Sequence, residues 1–259
     1  MGVASEQGRE RRRLLVVTND SAGSADGLAD ALAVLEPAAD VRVAECRAPS
    51  ELDGIVAARD GRELVVAGGD GSLHNVVRTL RDRGELTPDD PLGLLPLGTG
   101  NDLSRTTGIP LPPAAAAEVV LSGRARPLDL LLDDAGGVVV NVVHLGVGAE
   151  AAAAASELKP RLGALAYPVG AVAAAARTGG WRLRVEVDGT PLWDGEEPLL
   201  MLAVANGRFI GGGTPLAPEA DPGDGLADVL VSAAVGLLDR MSYAVDLRGG
   251  EHPERDDVR

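Results

Sequence analysis

The chain has very few aromatic side chains: phenylalanine, tryptophan and tyrosine together make up 2% of its 259 residues. Hydrophobic residues nevertheless reach 45%, so the core must be built from valine, leucine, isoleucine and alanine. The single cysteine, Cys46, excludes an internal disulfide and a four-cysteine metal site, and it fits a reducing compartment. The length suffices for two domains of ordinary size, which is our expectation.

Positive charge is also scarce, and Lys159 is the only lysine. A formal net charge of −15 argues against a broad nucleic-acid surface, because phosphate backbones require clustered lysine and arginine. Long apolar runs are missing as well: after the polar residues 1–13, the run at 14–17 is too short for a signal core or a membrane span. We therefore expect a cytoplasmic protein without a transmembrane segment, touching the inner membrane face from its surface.

The first half of the chain alternates strands with helices. Apolar runs predict strands at 14–18, 41–45, 64–67 and 92–96, and the intervening patterns predict helices at 26–36, 50–59 and 73–83. Such alternation is typical of a parallel sheet with helices on both faces. The sequence therefore predicts an N-terminal α/β domain over residues 12–124.

The pattern changes near residue 125, after an alanine-rich helix that ends at 122–123. Most of the later strand-like segments have no helix between them, which predicts a mainly antiparallel β-rich domain over residues 125–259. The predicted strands are 128–132, 138–143, 183–187, 199–205 and 227–231, with helices at 151–177 and 236–247. The last stretch, 249–259, is polar and is predicted to be frayed.

A glycine-rich loop follows the third predicted strand directly and consists of Gly68, Gly69, Asp70, Gly71 and Ser72. Its glycines let the backbone approach a ligand closely, and the N-terminus of the following helix offers free N–H groups to phosphate. A tight strand-to-helix turn with Asp70 as its cap explains the same pattern equally well. No P-loop motif is present, so the backbone and a metal would have to meet the charge of any phosphate.

A second loop, residues 96–105 with the sequence PLGTGNDLSR, follows the fourth predicted strand. Ligands of open parallel sheets bind outside the carboxyl ends of the strands, so both loops are predicted to face one crevice. Thr99 and Asn101 can hydrogen-bond a nucleotide there. Asp102 can hold a metal or cap a helix, and the sequence favours neither role.

The ordered pair of loops resembles the catalytic domain of diacylglycerol kinases and of their bacterial lipid kinase relatives, a group that includes sphingosine and ceramide kinases. Either loop alone is moderately specific, whereas the pair at this spacing is a strong signal. The resemblance covers roughly residues 14–252 and continues through 108–110, 127–129, 141–150, 162–167, 205–207, 211–218 and 224–229.

The resemblance implies a diacylglycerol kinase-like fold, with a parallel α/β domain followed by a mainly antiparallel β domain. It implies ATP and Mg²⁺ as cofactors and transfer of the γ-phosphoryl group to a lipid alcohol, with diacylglycerol, giving phosphatidic acid, as the first choice. The residues that would bind the nucleotide are Gly68, Gly69, Asp70, Gly71, Ser72, Leu73, His74, Asn75, Gly98, Thr99 and Asn101.

The resemblance also implies a structural Mg²⁺ in the acidic segment 221–228. The carboxylate of Asp224 would bind it together with the backbone carbonyls of Asp221 and Leu226, since hard cations prefer oxygen ligands. Without the family, this segment is an acidic turn between strands. Lys159 falls where relatives often carry a basic residue near the phosphates, and Asp70 and Asp102 are further candidates for supporting catalysis.

The sequence departs from the family at three places. The opening turn, 19–24, lacks the NPxSG pattern, and Val76 stands where many relatives have glutamate. Relatives also continue to a later Asp-Gly-Glu whose acid is thought to act as general base on the lipid hydroxyl. The only such tripeptide here, 194–196, comes before the segment 205–207 and is predicted to be a hairpin turn. The catalytic acid is therefore unassigned, and we expect a chain short of the family's last segment.

Two alternative functions stay open. NAD kinases share the GGDG loop, so a kinase for a soluble acceptor is one, and a nucleotide-binding protein without catalysis is the other. Zinc is not expected, because His74, His144 and His252 share no metal-ligand spacing. Ser72 and Ser104 lack a histidine partner at a predictable spacing, which argues against a serine hydrolase. A homodimer is the default assembly, because dimers are the commonest.

Overall fold

The computed structural model describes residues 11–19, 25–88, 90–146, 180–233 and 237–259. The predicted helix at 151–177, with Lys159, lies outside these residues, as does most of the opening turn. The described chain forms two compact units. The first comprises Met1–Leu128 and Leu132–Val140, and the second comprises Asp129–Leu131 and Asn141–Arg259.

The first unit is built on a four-stranded parallel sheet. Its strands are β1 (Arg13–Thr18), β2 (Asp40–Glu45), β3 (Glu63–Gly68) and β4 (Leu92–Pro96), arranged in the order β2-β1-β3-β4. The helices are α1 (Ala25–Ala38), α2 (Leu52–Ala57), α3 (Asp70–Asp82), α4 (Asp102–Thr107) and α5 (Pro113–Ser122), with a 3-10 turn at Pro49–Glu51. The predicted α/β architecture is confirmed.

Small aliphatic side chains fill the core of this unit, as the shortage of aromatics requires. Leu14 and Val16 of β1 lie on one face of the sheet, where α1 and α5 pack against it and against each other. The contact between the two helices uses alanines, which let their backbones approach closely. The core residues that α1 and α5 contribute are Ala31, Leu35, Ala116 and Ala117.

The strand order places a crevice at the carboxyl ends of β1 and β3. The connection from β1 leads to β2 on one side, whereas β3 pairs with β1 on the other side. The connection from β3 leads on to β4, on the side away from β2. The connections that leave β1 and β3 therefore run in opposite directions, and a gap opens above the ends of these two strands. This is where ligands of open α/β sheets bind.

The second unit contains a three-stranded antiparallel sheet of order β13-β10-β7, which confirms the predicted antiparallel architecture. Its strands are β7 (Val142–Gly146), β10 (Leu199–Ala205) and β13 (Asp228–Ala233). Two two-stranded pairs complete the strands of this unit: β8 (Val185–Val187) with β9 (Thr190–Trp193), and β11 (Phe209–Ile210) with β12 (Thr214–Pro215). A further pair, β5 (Leu131–Leu132) with β6 (Val138–Val139), lies mainly in the residues assigned to the first unit. Helix α6 (Leu237–Gly249) and a 3-10 turn at His252–Glu254 follow β13.

Three of the predicted strands are wrong in extent, and the one predicted at 183–187 is shortened to β8. The strand predicted at 128–132 is reduced to β5, and the one predicted at 138–143 is divided between β6 and β7. Asn141 lies at the division, where its side-chain amide donates to the Phe209 carbonyl at 3.0 Å. That long-range hydrogen bond has no signal in the local sequence.

The prediction that the closing stretch is frayed is wrong. His252 is fully buried, and its Nε2 lies 2.8 Å from the Leu216 carbonyl oxygen. Val258 is also buried, and Arg259 exchanges two backbone hydrogen bonds with Val231 of β13, at 2.8 and 3.0 Å. Two core side chains and the pairing with β13 therefore fix a segment whose composition is polar.

His252 is expected to make this protein sensitive to acid. Burial lowers the pKa of His252 below that of a free histidine. The hydrogen bond to Leu216 and the charge of Asp246 raise this pKa, but by less than burial lowers it. The unfolded chain then binds more protons as the pH falls below about 6.5, so stability drops with falling pH. In His252→Gln, which keeps a donor but does not titrate, urea unfolding between pH 7 and 5 is expected to show a smaller slope, by up to about 1.4 kcal/mol per pH unit. An unchanged slope would assign the acid sensitivity to other groups.

Candidate functional site

The first glycine loop is the first turn of a helix. Strand β3 ends at Gly68, Gly69 is the N-cap, and α3 begins at Asp70, three residues earlier than predicted. The amides of Asp70 and Gly71 belong to the first turn, which has no intrahelical acceptors, so they are available to an anion. A Cβ atom added to Gly71 would meet nothing within 4 Å, so the space beside these amides is open.

The two predicted loops lie in direct backbone contact. A Cβ atom on Gly98 would lie 2.4 Å from the Cα of Gly69, and one on Gly69 would lie 3.0 Å from the Cα of Gly98. The amide of Leu97 also donates to the Gly68 carbonyl at 3.0 Å. Glycine is therefore required at position 98 by this contact between the loops.

Asp70 joins the loops from the side. Its carboxylate accepts hydrogen bonds from the amides of Asp102 at 3.1 Å and Leu103 at 3.0 Å, which are the first residues of α4. Asp70 therefore caps a helix that lies 32 residues further along the chain. The predicted alternative of Asp102 as N-cap is wrong, because Asn101 occupies that position and the capping acceptor comes from the other loop.

Asn101 holds the second loop in shape. It adopts a left-handed backbone conformation with φ of 54°, which asparagine tolerates better than most residues. Its side-chain oxygen accepts from the amide of Gly98 at 3.0 Å, and its side-chain nitrogen donates to the carbonyl of Gly98 at 2.7 Å. The amide that we predicted for nucleotide binding is thus engaged inside the loop, whereas Thr99 is exposed.

The remaining predicted nucleotide-binding residues of α3 diverge in position. Leu73 is buried with the core side of the helix, and His74 is half-buried. Ser72 and Asn75 instead line a cleft, and the Ser72 hydroxyl accepts from the side-chain amide of Asn19 at 3.1 Å. Successive side chains of a helix point in different directions, so the residues of α3 within 68–75 cannot all contact one bound nucleotide.

The cleft has a volume of about 220 Å³ and lies at the crevice between the carboxyl ends of β1 and β3. Its polar lining includes three residues that sequence reasoning missed: Asn19, Cys46 and Arg47. The side-chain oxygen of Asn19 is buried and has no hydrogen-bond partner in the described part of the chain. Burial raises the pKa of the Cys46 thiol, and the negative charge of the nearby Glu51 adds a smaller increase. The remaining lining residues are Val17, Thr18, Ala48, Pro49, Leu52, Val66, Ser72, Asn75 and Val76.

In the second unit, the predicted metal loop is a sequence of tight turns. The carboxylate of Asp221 accepts from the amide of Gly223 at 3.1 Å, and that of Asp224 accepts from the amide of Leu226 at 2.9 Å. Within the described ranges, no group of three or more acidic, histidine or cysteine side chains is arranged to hold a metal. The predicted set, the Asp224 carboxylate with two backbone carbonyls, has the oxygen chemistry that a hard cation prefers, although the Asp221 carbonyl and the Asp224 carboxylate each accept a hydrogen bond within the loop.

Asp129, which sequence reasoning did not assign, fixes this loop at two points. Its amide donates to the Pro222 carbonyl, and its carboxylate accepts from the amide of Gly225, both at 2.7 Å. Burial, followed by the charges of Asp224 and Glu219, raises the pKa of the neighbouring Asp228. Asp224, Asp228 and Glu219 place negative charge close together, and a bound cation would reduce the repulsion between them.

The tripeptide 194–196 forms a turn between β9 and β10, which belong to different sheets and are not paired with each other. Gly195 has φ of 88°, and the Asp194 carboxylate accepts from the amide of Glu196 at 2.8 Å. The Asp194 carboxylate therefore stabilises a turn, and the predicted hairpin is wrong because the strands on either side of it are not paired. No helix among the described residues combines the length and apolar character required to cross a bilayer.

Comparison with known proteins identifies the family. Residues 13–132 match the diacylglycerol kinase catalytic domain, and residues 141–259 match the YegS C-terminal NAD kinase beta sandwich-like domain. A protein of Xanthomonas campestris pv. campestris (strain 8004), named "Probable lipid kinase YegS-like", is 34% identical over 230 residues, which cover 85% of this chain and 73% of that protein. The chain belongs to the YegS-like lipid kinase family. A relative of the same name from Pseudomonas aeruginosa (strain UCBPP-PA14) is 41% identical over 170 residues, or 65% of this chain.

Two crystal structures from Bacillus anthracis str. Sterne share the fold of this YegS-like chain. One, of a diacylglycerol kinase, matches with a TM-score of 0.69 at 23% identity and covers 91% of this chain and 79% of that one. The other matches with a TM-score of 0.76 at 22% identity, over 97% and 84% of the two chains. The aligned part spans about half the length of the Pseudomonas relative, 53%.

Proposed function

We propose that this chain binds ATP through its two glycine loops and transfers the γ-phosphoryl group to the hydroxyl of a membrane lipid, with diacylglycerol as the acceptor. The observation that supports this most is the backbone contact of Gly69 with Gly98, which brings two glycine-bearing turns together at neighbouring strand ends. Phosphoryl transfer depends mainly on positioning and charge stabilisation, and these loops supply positioning.

The phosphates would lie against the open N-terminus of α3, where the amides of Asp70 and Gly71 donate to phosphate oxygens. The carboxylate of Asp70 keeps its negative charge, which the two amides of α4 that donate to it stabilise. The base and ribose would enter the adjoining cleft, past Ser72 and Asn75. Asp224 and the carbonyls of Asp221 and Leu226 would hold Mg²⁺, whose charge favours an ordered loop.

The reaction is proposed to take place in the cytoplasm at the inner membrane face, where ATP and a membrane lipid are both available. The general base on the lipid hydroxyl is not assigned to any residue of this chain. Such a base typically contributes about 10²–10⁴-fold to the rate of transfer.

The test is incubation of the purified protein with labelled ATP, Mg²⁺ and mixed micelles that contain diacylglycerol. We expect labelled phosphatidic acid, at a rate that falls when Mg²⁺ is chelated. NAD serves as the soluble acceptor in a parallel reaction. Tight ATP binding without transfer to either acceptor would indicate a nucleotide-binding protein, and transfer to NAD alone would indicate a kinase for a soluble acceptor.

A further inference from the structure

Helix α6 has an apolar stripe on each of two faces. On the inner face, Tyr243 is buried in the core cluster of the second unit, and Leu247 packs against the same cluster. On the outer face, Met241 and Val245 are 59% and 70% exposed. Surface helices normally have one apolar face and one polar face, so the outer stripe is the unusual feature.

The outer stripe is continuous along the helix. Met241, Ala244, Val245 and Arg248 are all exposed, and their spacing places them on one line of the helix surface. Three apolar side chains are thus followed by a cation at the C-terminal end of the helix. We call these four residues the outer stripe of α6.

The size of the outer stripe decides between two occupants. A stable dimer buries about 800 Å² on each partner, from some 20–30 residues, which three small or medium side chains cannot supply. A bilayer needs less, because an interfacial helix inserts one narrow apolar face only about 5–10 Å into the headgroup region. The stripe fits this shallow contact.

The charge at the end of the stripe also favours a bilayer. Arg248 is exposed, and arginine beside an inserted apolar face interacts with lipid phosphate groups. Asp239 and Glu251, both exposed near the ends of the helix, and the formal net charge of −15 oppose a purely electrostatic attachment. The apolar side chains must therefore carry most of the contact, with Arg248 adding a preference for anionic lipid.

We propose that the outer stripe of α6 docks this protein on the surface of a lipid bilayer that contains anionic lipid. The proposal rests on the proposed function, because a kinase whose acceptor is a membrane lipid has to reach the bilayer surface. It adds a place on the molecule at which that contact is made.

The test is co-sedimentation of the purified protein with vesicles of phosphatidylcholine and phosphatidylglycerol. Met241→Ser combined with Val245→Ser is expected to weaken partitioning roughly tenfold or more, because several apolar groups are lost from the inserted face. Val245→Ser alone is expected to weaken it to a lesser degree, and it serves if the double variant does not fold. Val119→Ser, at an apolar residue 41% exposed on α5, is the matched control and should bind as the wild type does.

Arg248→Gln is expected to reduce binding to vesicles with phosphatidylglycerol and to leave binding to pure phosphatidylcholine unchanged. Equal partitioning of the wild type and the double variant, or no binding by the wild type, would overturn the proposal. A wild-type dimer that becomes monomeric in the double variant would overturn it too, by making the stripe a contact between copies.

Phosphoryl transfer to a dispersed short-chain diacylglycerol separates this proposal from the proposed function. The double variant should retain wild-type transfer to that acceptor. Vesicle binding that depends on the stripe, together with no transfer by any variant, would refute the kinase function and leave the docking surface standing. Phosphoryl transfer without any vesicle binding would refute the docking surface and leave the kinase function standing.

Discussion

Replacing Gly98 with alanine is expected to separate the two glycine loops and to cause one of the largest losses of any single substitution. The new Cβ would lie 2.4 Å from the Cα of Gly69 and 2.9 Å from the side-chain oxygen of Asn101. Backbone atoms cannot rotate away as a side chain can, so the loops must move apart. We expect a loss of about 2–3 kcal/mol in the free energy of unfolding, the upper range for overpacking, and at least a tenfold loss of ATP affinity, measured by urea unfolding and calorimetry.

Gly71→Ala is the matched control, because a Cβ there meets nothing within 4 Å. Alanine is favoured over glycine inside a helix by up to about 1 kcal/mol, so the stability should be unchanged or higher. ATP affinity should nevertheless fall, since the methyl group would occupy space next to the amides proposed to receive phosphate. An unaltered affinity in both variants would mean that the nucleotide binds elsewhere.

Asp70→Ala is expected to release the second loop. The substitution removes the shared acceptor of the amides of Asp102 and Leu103, both of which are buried residues. A lost cap costs about 1 kcal/mol, and buried amides left unpaired cost more, so we expect about 2–3 kcal/mol from urea unfolding. ATP affinity should fall in parallel, because Gly98 and Thr99 lose their fixed position.

The control for Asp70 is Asp82→Ala, at the other end of α3. The Asp82 side chain is 60% exposed and lies 3.8 Å from Arg78, so its removal should alter stability by less than about 0.5 kcal/mol. Asp70→Asn, which keeps the shape and one acceptor oxygen, should lie between wild type and Asp70→Ala. Full stability of Asp70→Ala with abolished transfer would instead assign Asp70 a direct role in the chemistry.

The sequence predicted those elements whose signal is local. Strands β4 and β10 have the predicted bounds, because each is a compact apolar run that ends at a turn. The start of α3 was predicted too late because glycine disfavours the interior of a helix, whereas the first turn tolerates it. The backbone contact between the two loops agrees with a general rule about strand ends, but no residue of the second loop lines the cleft, so a shared crevice stays a prediction.

What the sequence could not predict depends on partners far away in the chain. Asp70 acts on a helix 32 residues later, and the buried state of His252 depends on Leu216. The cleft likewise combines Asn19 with Cys46 and Ser72, which follow three different strands. Such groupings arise from strand order, and a single sequence carries no record of that order.

The position of Cys46 gives this protein a built-in attachment point for a reporter group. It is the only thiol among the 259 residues, and it lines the cleft next to the first glycine loop. A maleimide dye would therefore mark one location without any engineering. Because burial raises the pKa of this thiol, labelling is slow at neutral pH and faster in mild alkali. A ligand that fills the cleft should slow the labelling of Cys46, so the labelling rate measured with and without a ligand reports whether the cleft is occupied.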